Sequence, residues 1–326
     1  MYNGGRMSAL TRAAAAEADA VEQDREAART DVKFEIARSY WAVITARTSV
    51  DVVDQALARI DAHLADVRNQ LKVGLVPPSD VLSVEAQQAR QQMLLIEAMN
   101  LAETTSAEFR RLVGLGPEVP FALADRIDAP STLSSEVASL VQAATANRAD
   151  RKALEIRLGA LGERLSAANA GRLPVIGTVA GYDFANPNPR IFPRQDAWKP
   201  SWDVSVNLTW AVFDGGRARA EVAEAAANQR AAEERLKDFD ESIDVEVRQR
   251  ALDLSSAEAA IAAADVSVRS AAEARRVIAD RFAAGVATNT DVIDAQVVLL
   301  QAELDRTRAL ANAHLAVARL DRALGR

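Results

Sequence analysis

The chain repeats itself at one fixed offset of 211 residues, and no insertion or deletion interrupts the correspondence. Tyr2-Asn3-Gly4-Gly5-Arg6 returns as Phe213-Asp214-Gly215-Gly216-Arg217, and Gly74 returns as Gly285. Ser79-Asp80-Val81-Leu82 returns as Thr290-Asp291-Val292-Ile293, and Arg111 and Gly114 return as Arg322 and Gly325. Lengths held this strictly make each copy a structural unit of required size, and a fold assignment that overlooks them misreads the whole chain.

Each copy contains a long segment without helix breakers. Between Gly5 and Gly74, and again between Gly216 and Gly285, lie 68 residues with neither Gly nor Pro. A continuous helix of that length extends ~100 Å, against ~11–12 residues for an ordinary globular helix. Val50, Val53, Leu57, Ile60, Leu64, Val67 and Leu71 step by alternating threes and fours, the apolar seam of a left-handed coiled coil. Lys72-Val73-Gly74-Leu75-Val76-Pro77-Pro78 then ends the helix, because Gly accepts the left-handed conformation and the prolines stop propagation. Ser79 is the expected N-cap of a return helix to about Val113, with Thr290 as its counterpart in the second copy. That second return helix carries Leu310, Ala313, Val317, Leu320 and Leu324 at the same spacing. A further helix is expected from about Ser134 to Ala170, end to end with the first return helix. The irregular stretch between them, Gly116 to Pro130, would form a belt halfway along the rod.

After Pro174 the period changes to two. Trp202, Val204, Val206, Leu208, Trp210 and Val212 line one side of the stretch 202–213, while Asp203, Ser205, Asn207 and Thr209 lie on the other. This is the alternation of a transmembrane β-strand between lipid and a watery lumen. Its partner, 175–184, places Ile176, Ala180, Tyr182 and Phe184 together. An ordinary half-buried hairpin packed on the helices shares the pattern. Two strands cannot close a barrel, and an open edge is not tolerated in lipid, so several chains would have to pool their strands. Shifting the hairpin back by the repeat offset puts its first copy before Met1. The chain is therefore expected to start inside its first repeat.

Composition narrows the classes of function. The formal net charge is −7, which argues against nucleic acid as a partner. Cysteine is absent, so there is no disulfide framework and no thiolate metal site. No apolar run is long enough for a transmembrane helix, and Met1-Tyr2-Asn3-Gly4-Gly5 is polar where a signal peptide is not. The two histidines, His63 and His314, read as ordinary surface or groove residues. No catalytic triad, phosphate loop or dinucleotide loop is found, so neither enzyme activity nor a cofactor is expected.

Taken in order, these elements resemble the TolC-like outer-membrane efflux protein family. The residues that carry the resemblance are Val212-Phe213-Asp214-Gly215-Gly216-Arg217, Val73-Gly74-Leu75 with Asp80-Val81-Leu82, and Gly285 with Asp291-Val292-Ile293-Asp294-Ala295. Asn147-Arg148-Ala149-Asp150 is similar to an Asn-Arg-Pro-acid element, with Ala149 at the proline. The fold implied is mainly α, with very long antiparallel coiled-coil hairpins in two repeats plus a β-hairpin contributing to a transmembrane barrel. Its segments would be a helical hairpin at 1–116, an equatorial connection at 117–133, a helix at 134–173, the membrane hairpin at 174–213 and a second helical hairpin at 214–326.

The resemblance also implies a homotrimer in outer-membrane lipid, loaded by a periplasmic adaptor and an inner-membrane pump. Such a trimer has twelve strands and twelve helices; with one hairpin per chain this sequence would supply six strands. Asp291 and Asp294 match paired aspartates that ring the narrow periplasmic entrance, where converging carboxylates attract cations; the alternative is that Asp291 complements a helix dipole and Asp294 lies on a solvated face. Ser83 stands at the second aspartate's place in the first copy. Phe282 and Ala287 stand where the family carries a tyrosine and an arginine that lock the gate. Val73, Gly74, Leu75, Gly285 and Val286 match tips that meet the adaptor, with plain turn chemistry as the alternative. Trp202, Val204, Val206, Leu208 and Trp210 would face lipid. A soluble coiled-coil scaffold with a β-hairpin cap is the other class of protein compatible with the pattern.

Overall fold

A computed structural model describes residues 1–123, 127–130 and 136–326. Its elements are α1 (Arg6–Lys72), α2 (Pro78–Val113), α3 (Val137–Asn147), α4 (Ala149–Ala170), β1 (Val175–Ala185), β2 (Lys199–Thr209), α5 (Arg217–Ala283) and α6 (Asn289–Ala323). The chain is thus mainly helical with one antiparallel hairpin. Helices α1 and α5 each hold 67 unbroken residues at corresponding positions. The expected helix start near Ser134 lies outside the described residues. The expected single helix to Ala170 is instead two, because Arg148 takes an extended ψ of 122° between α3 and α4. Ala149 is then the first residue of α4, a position where a proline is equally at home.

The helix starts also differ from expectation, and the repeat survives the difference. The N-cap of α2 is Pro77, not Ser79, and that of α6 is Thr288, not Thr290. Pro78 occupies the first turn of α2, where its missing N–H costs nothing. Upstream of the long helices the caps correspond as well. The Asp214 carboxylate accepts from the N–H groups of Ala218 at 2.8 Å and Gly216 at 2.9 Å, and Asn3 accepts from Met7 N–H at 3.4 Å.

The chain divides into two compact units. One comprises Met1–Ala27 and Ala149–Ser242. Its helices meet through alanines. Ala9, Ala13 and Ala20 of α1 and Ala153, Ala160 and Ala167 of α4 are all buried, and most of them fall at intervals of seven. Small side chains at those positions let backbones approach closely, which accounts for a core with few aromatics. Ion pairs flank the seam: Arg12 with Glu163 at 2.8 Å, Arg157 with Glu17 at 3.4 Å, and Arg151 with Asp240 at 2.6 Å. Strands β1 and β2 pair antiparallel, with Val175 opposite Thr209 and Ala185 opposite Lys199. On the other edge of β1, Tyr2 exchanges two backbone hydrogen bonds of 2.7 Å with Ile176.

The other unit comprises Ala28–Arg148 and Ile243–Arg326. Near the tip turns, Ile60, Leu64 and Val67 of α1 pack with Val81 and Val84 of α2, and Phe282 and Ile293 close the cluster. Farther along, Ile44, Ile261, Leu310 and Ala313 form a second core with Ile127. Here the connection after α2 docks. Phe121 lies under the guanidinium of Arg47 at 5.0 Å. The His314 ring stacks on Trp41, and its Nε2 lies 2.7 Å from the Asp128 carbonyl. Gly325 sits so close to the backbone of Arg148 that a Cβ there would lie 3.0 Å from its Cα.

Candidate functional site

Both tip turns end their long helices in the same way. Gly74 N–H bonds to the Leu71 carbonyl and Leu75 N–H to that of Gln70; Gly285 and Val286 repeat this with Phe282 and Arg281. Gly74 and Gly285 have φ of 75° and 76°, the left-handed conformation that this pair of bonds requires. The geometry explains the glycines and leaves their neighbours unexplained. A residue after such a glycine often packs back on the helix, yet Leu75 is 75% exposed, and Val73 and Val286 are exposed beside it.

Asp291 and Asp294 lie on the exposed side of the first turns of α6. Asp291 completes a capping box: its Oδ2 accepts from Thr288 N–H at 2.8 Å and from the Thr288 hydroxyl at 2.7 Å, and its own N–H donates to Thr288 Oγ1 at 3.2 Å. These bonds, the backbone one foremost, hold the carboxyl below the usual aspartate range. Asp291 therefore fastens its own helix start, which is more than complementing a dipole. Both side-chain contacts use Oδ2, which leaves Oδ1 directed elsewhere. Asp294 takes no part in the cap and is exposed one turn on.

Sequence reasoning missed a lock between the two tips. His63 of α1 is only 8% exposed, and its Nε2 lies 2.8 Å from Asn289 Oδ1. Asn289 Nδ2 in turn donates to the Asp80 carbonyl of α2 at 3.2 Å. With the amide nitrogen so committed, His63 Nε2 carries the proton. Phe282 of α5 packs edge-on to the His63 ring at 5.3 Å. Four helices thus converge on one polar contact. His63 precedes Leu64 in the apolar seam, and that placement on the inward side was the available signal.

In the hairpin, β2 begins at Lys199 and ends at Thr209, four residues short of the expected end. Trp210 is consequently outside the strand, and its indole N–H donates to the Arg172 carbonyl at 3.2 Å. Within the paired region Ile176 stands opposite Leu208, Thr178 opposite Val206, Ala180 opposite Val204 and Tyr182 opposite Trp202. These residues form one face, and it lies open: Trp202 is 76% and Val206 69% exposed. The aromatics sit at its ends. Tyr182, Trp202, Phe184 and Trp198 mark one, Tyr2 and Trp210 the other. Trp202 to Trp210 is nine residues, within the ~9–11 that a tilted strand needs to cross a bilayer.

Among the described residues no cluster of metal-ligating side chains occurs and no helix is long and apolar enough to cross a membrane.

A family model described as outer membrane efflux protein matches residues 1–115 and 140–326. Protein CyaE of Bordetella pertussis is 28% identical over 231 residues, which cover 70% of this chain and 48% of that protein. The outer membrane protein TolC of Vibrio cholerae is 24% identical over 321 residues, covering 95% of this chain and 72% of that protein. The chain thus matches about half the length of the first relative. Among solved structures, a membrane protein from Pseudomonas aeruginosa superposes with a TM-score of 0.85 at 21% identity, covering 99% of this chain and 72% of that one. VceC from Vibrio cholerae gives 0.82 at 22% identity, covering 99% and 76%. At these identities the structural likeness is one of fold.

Proposed function

The chain belongs to the outer membrane efflux protein family, and from that premise we propose that it serves as an exit duct in the outer membrane. Strands β1 and β2 contribute to a barrel in lipid, and the long helices wall a conduit through the periplasm. Substrates pass through it passively, delivered by an inner-membrane pump through a periplasmic adaptor. The family is one of transport conduits and not of enzymes.

The observation that carries this reading is the open face of the hairpin, aliphatic in the middle and aromatic at both ends. Lipid is the solvent such a face suits. A soluble scaffold with a hairpin cap leaves Trp202, Val204, Val206 and Leu208 in water.

Association of copies follows from the same physics. Beyond the Tyr2 bridge both strands keep an open edge among the described residues, which a bilayer does not tolerate. The helices also leave Met93, Ile96, Leu252, Val266 and Val298 exposed, and further copies would bury them. A homotrimer is the assembly we propose.

In it, Asp291 and Asp294 from three tips form an acidic constriction that prefers cations, and the contact among His63, Asn289 and Asp80 fastens the tips around it. Val73, Gly74, Leu75, Gly285 and Val286 would meet the adaptor. The test is purification from outer membranes: detergent-dependent trimers with single-channel conductance are expected, and a stable, water-soluble monomer would refute the duct.

A further inference from the structure

The segment joining β1 to β2 carries three prolines, Pro187, Pro189 and Pro193, and as a sequence it reads as an exposed loop. Its folded form is more ordered than that. Asn188 is only 3% exposed. Its Nδ2 donates to the Lys199 carbonyl at 2.8 Å and to Ser201 Oγ at 2.9 Å, and its Oδ1 accepts from Arg190 N–H at 3.0 Å. These bonds turn the chain back onto the hairpin and aim the Arg190 side chain along it. The guanidinium then reaches two carboxylates. One is Asp183 of β1 at 3.1 Å, and the other is Asp203 of β2, with which it makes a direct ion pair.

The register says which face this is. Gly181 stands opposite Asp203 and Asp183 opposite Ser201. Alternation places all four on the side away from Tyr182 and Trp202. On that apolar side Phe184 and Trp198 stack with centroids 5.3 Å apart. The glycine is part of the arrangement. A Cβ at Gly181 would come within 2.8 Å of Asp203 Oδ1, so the bare backbone is what lets the aspartate lie across the strand and meet the arginine.

We infer that the segment between the strands, from Asn186 to Ala197, is a strap laid across the polar face of the hairpin, and that Arg190, held by Asp183 and Asp203, ties it down. On the duct reading, on which the consequence rests, the polar face is the lumen side. The strap then lies inside the outer mouth, narrows it, and sets the size limit of what leaves. All three charged groups are about half exposed, so the tie weakens as salt screens it.

Three variants separate the parts. Arg190→Ala removes the tie, Asp183→Asn with Asp203→Asn removes its anchors, and Gly181→Ala displaces Asp203 while keeping every charge. In each, neutral polymers added from the outer side of the membrane-purified channel should enter and lower its current at a larger size than in wild type, a readout of the mouth that the tip constriction in series does not mask. Raising salt should raise the polymer size limit of the wild-type mouth in the same way. A second measurement needs no channel: trypsin should cut after Arg194 severalfold faster in the Gly181→Ala protein than in wild type. An unchanged polymer size limit together with unchanged cleavage overturns the strap. Absence of any channel in wild type, with cleavage still accelerated in the variant, overturns the duct and leaves the strap standing as a feature of the hairpin.

Discussion

The tip lock makes a quantitative prediction. In Asn289→Ala the His63 Nε2–H loses its only described acceptor, 2.8 Å away, inside a contact that also holds the Phe282 ring. A buried donor left without a partner costs about 1–3 kcal/mol. The bond from Asn289 to the Asp80 carbonyl, at 3.2 Å, contributes about 1 kcal/mol more. Together the tips should lose about 2–4 kcal/mol of local stability, a factor of roughly 30 to 1,000 in their opening equilibrium. Native-state hydrogen exchange reads this directly, at the amides of the last turns of α1 and α5 and the first turns of α2 and α6.

Exchange there should accelerate by that factor while the alanine-packed region around Ala153 and Ala160 stays unchanged. The double variant His63→Leu with Asn289→Leu should recover much of the loss, because an apolar pair leaves no orphaned donor. The two single changes should therefore be strongly non-additive. Protection within about twofold of wild type in Asn289→Ala, or a cycle that simply adds, would refute the lock.

Other expectations follow from the tip and the repeat. Asp291→Ala with Asp294→Ala should weaken block of the channel by divalent cations, and Asp294→Ala alone, which spares the cap, should weaken it part-way; unaltered block in the double variant removes the acidic constriction. Leu75→Ser should lower crosslinking to the adaptor without changing helix content by circular dichroism, and wild-type yields would count against a docking role. Gly114→Ala and Gly325→Ala both force alanine into a left-handed turn at about 1–2 kcal/mol, but only Gly325 has backbone within 3.2 Å of the added Cβ, so thermal melting should show the larger loss there. The folded Asp291 carboxyl titrates below its ordinary value of 3.8; its contribution is fully present above that value and fades as pH falls through the depressed one. Exchange at the start of α6 should accordingly rise only below about pH 4, and a transition centred near neutrality would contradict the capping box.

Much of the fold was legible because it rests on periodicity and breakers. The 3,4 seam from Val50 to Leu71, the glycines at 74 and 285 and the switch to period two after Pro174 are each local signals. Caps were less legible. Ser79 and Thr290 are good capping residues, yet Pro77 and Thr288 hold the position, because the tip turn sets where the new helix must begin. The strand end was misplaced since Trp210 and Val212 continue the alternation, while the junction to α5 turns the chain away at Thr209. The break at Arg148 was invisible because the element lacks its proline. The lock and the strap were hidden for another reason. His63 and Asn289 are 226 residues apart, and Arg190, Asp183 and Asp203 acquire meaning only through the register of the hairpin.

The offset of 211 residues joins positions that are alike in backbone and unlike in chemistry. Pro77 and Pro78 correspond to Thr288 and Asn289. The first pair starts a helix by conformational restriction alone and presents no side-chain donor or acceptor. The second starts the equivalent helix at the equivalent residue with a capping box, and leaves Asn289 available to reach His63. Gly114 and Gly325 share φ of 75°, yet only the second abuts another backbone. Backbone shape is therefore maintained between copies by glycine placement, while the start of the return helix is fastened by side-chain hydrogen bonds only in the second copy. On the duct proposed above, tips that both hold and release would draw on this inequality. The first return helix keeps its start by restriction alone, while the second depends on hydrogen bonds, which each contribute only about 1 kcal/mol net and exchange readily with water.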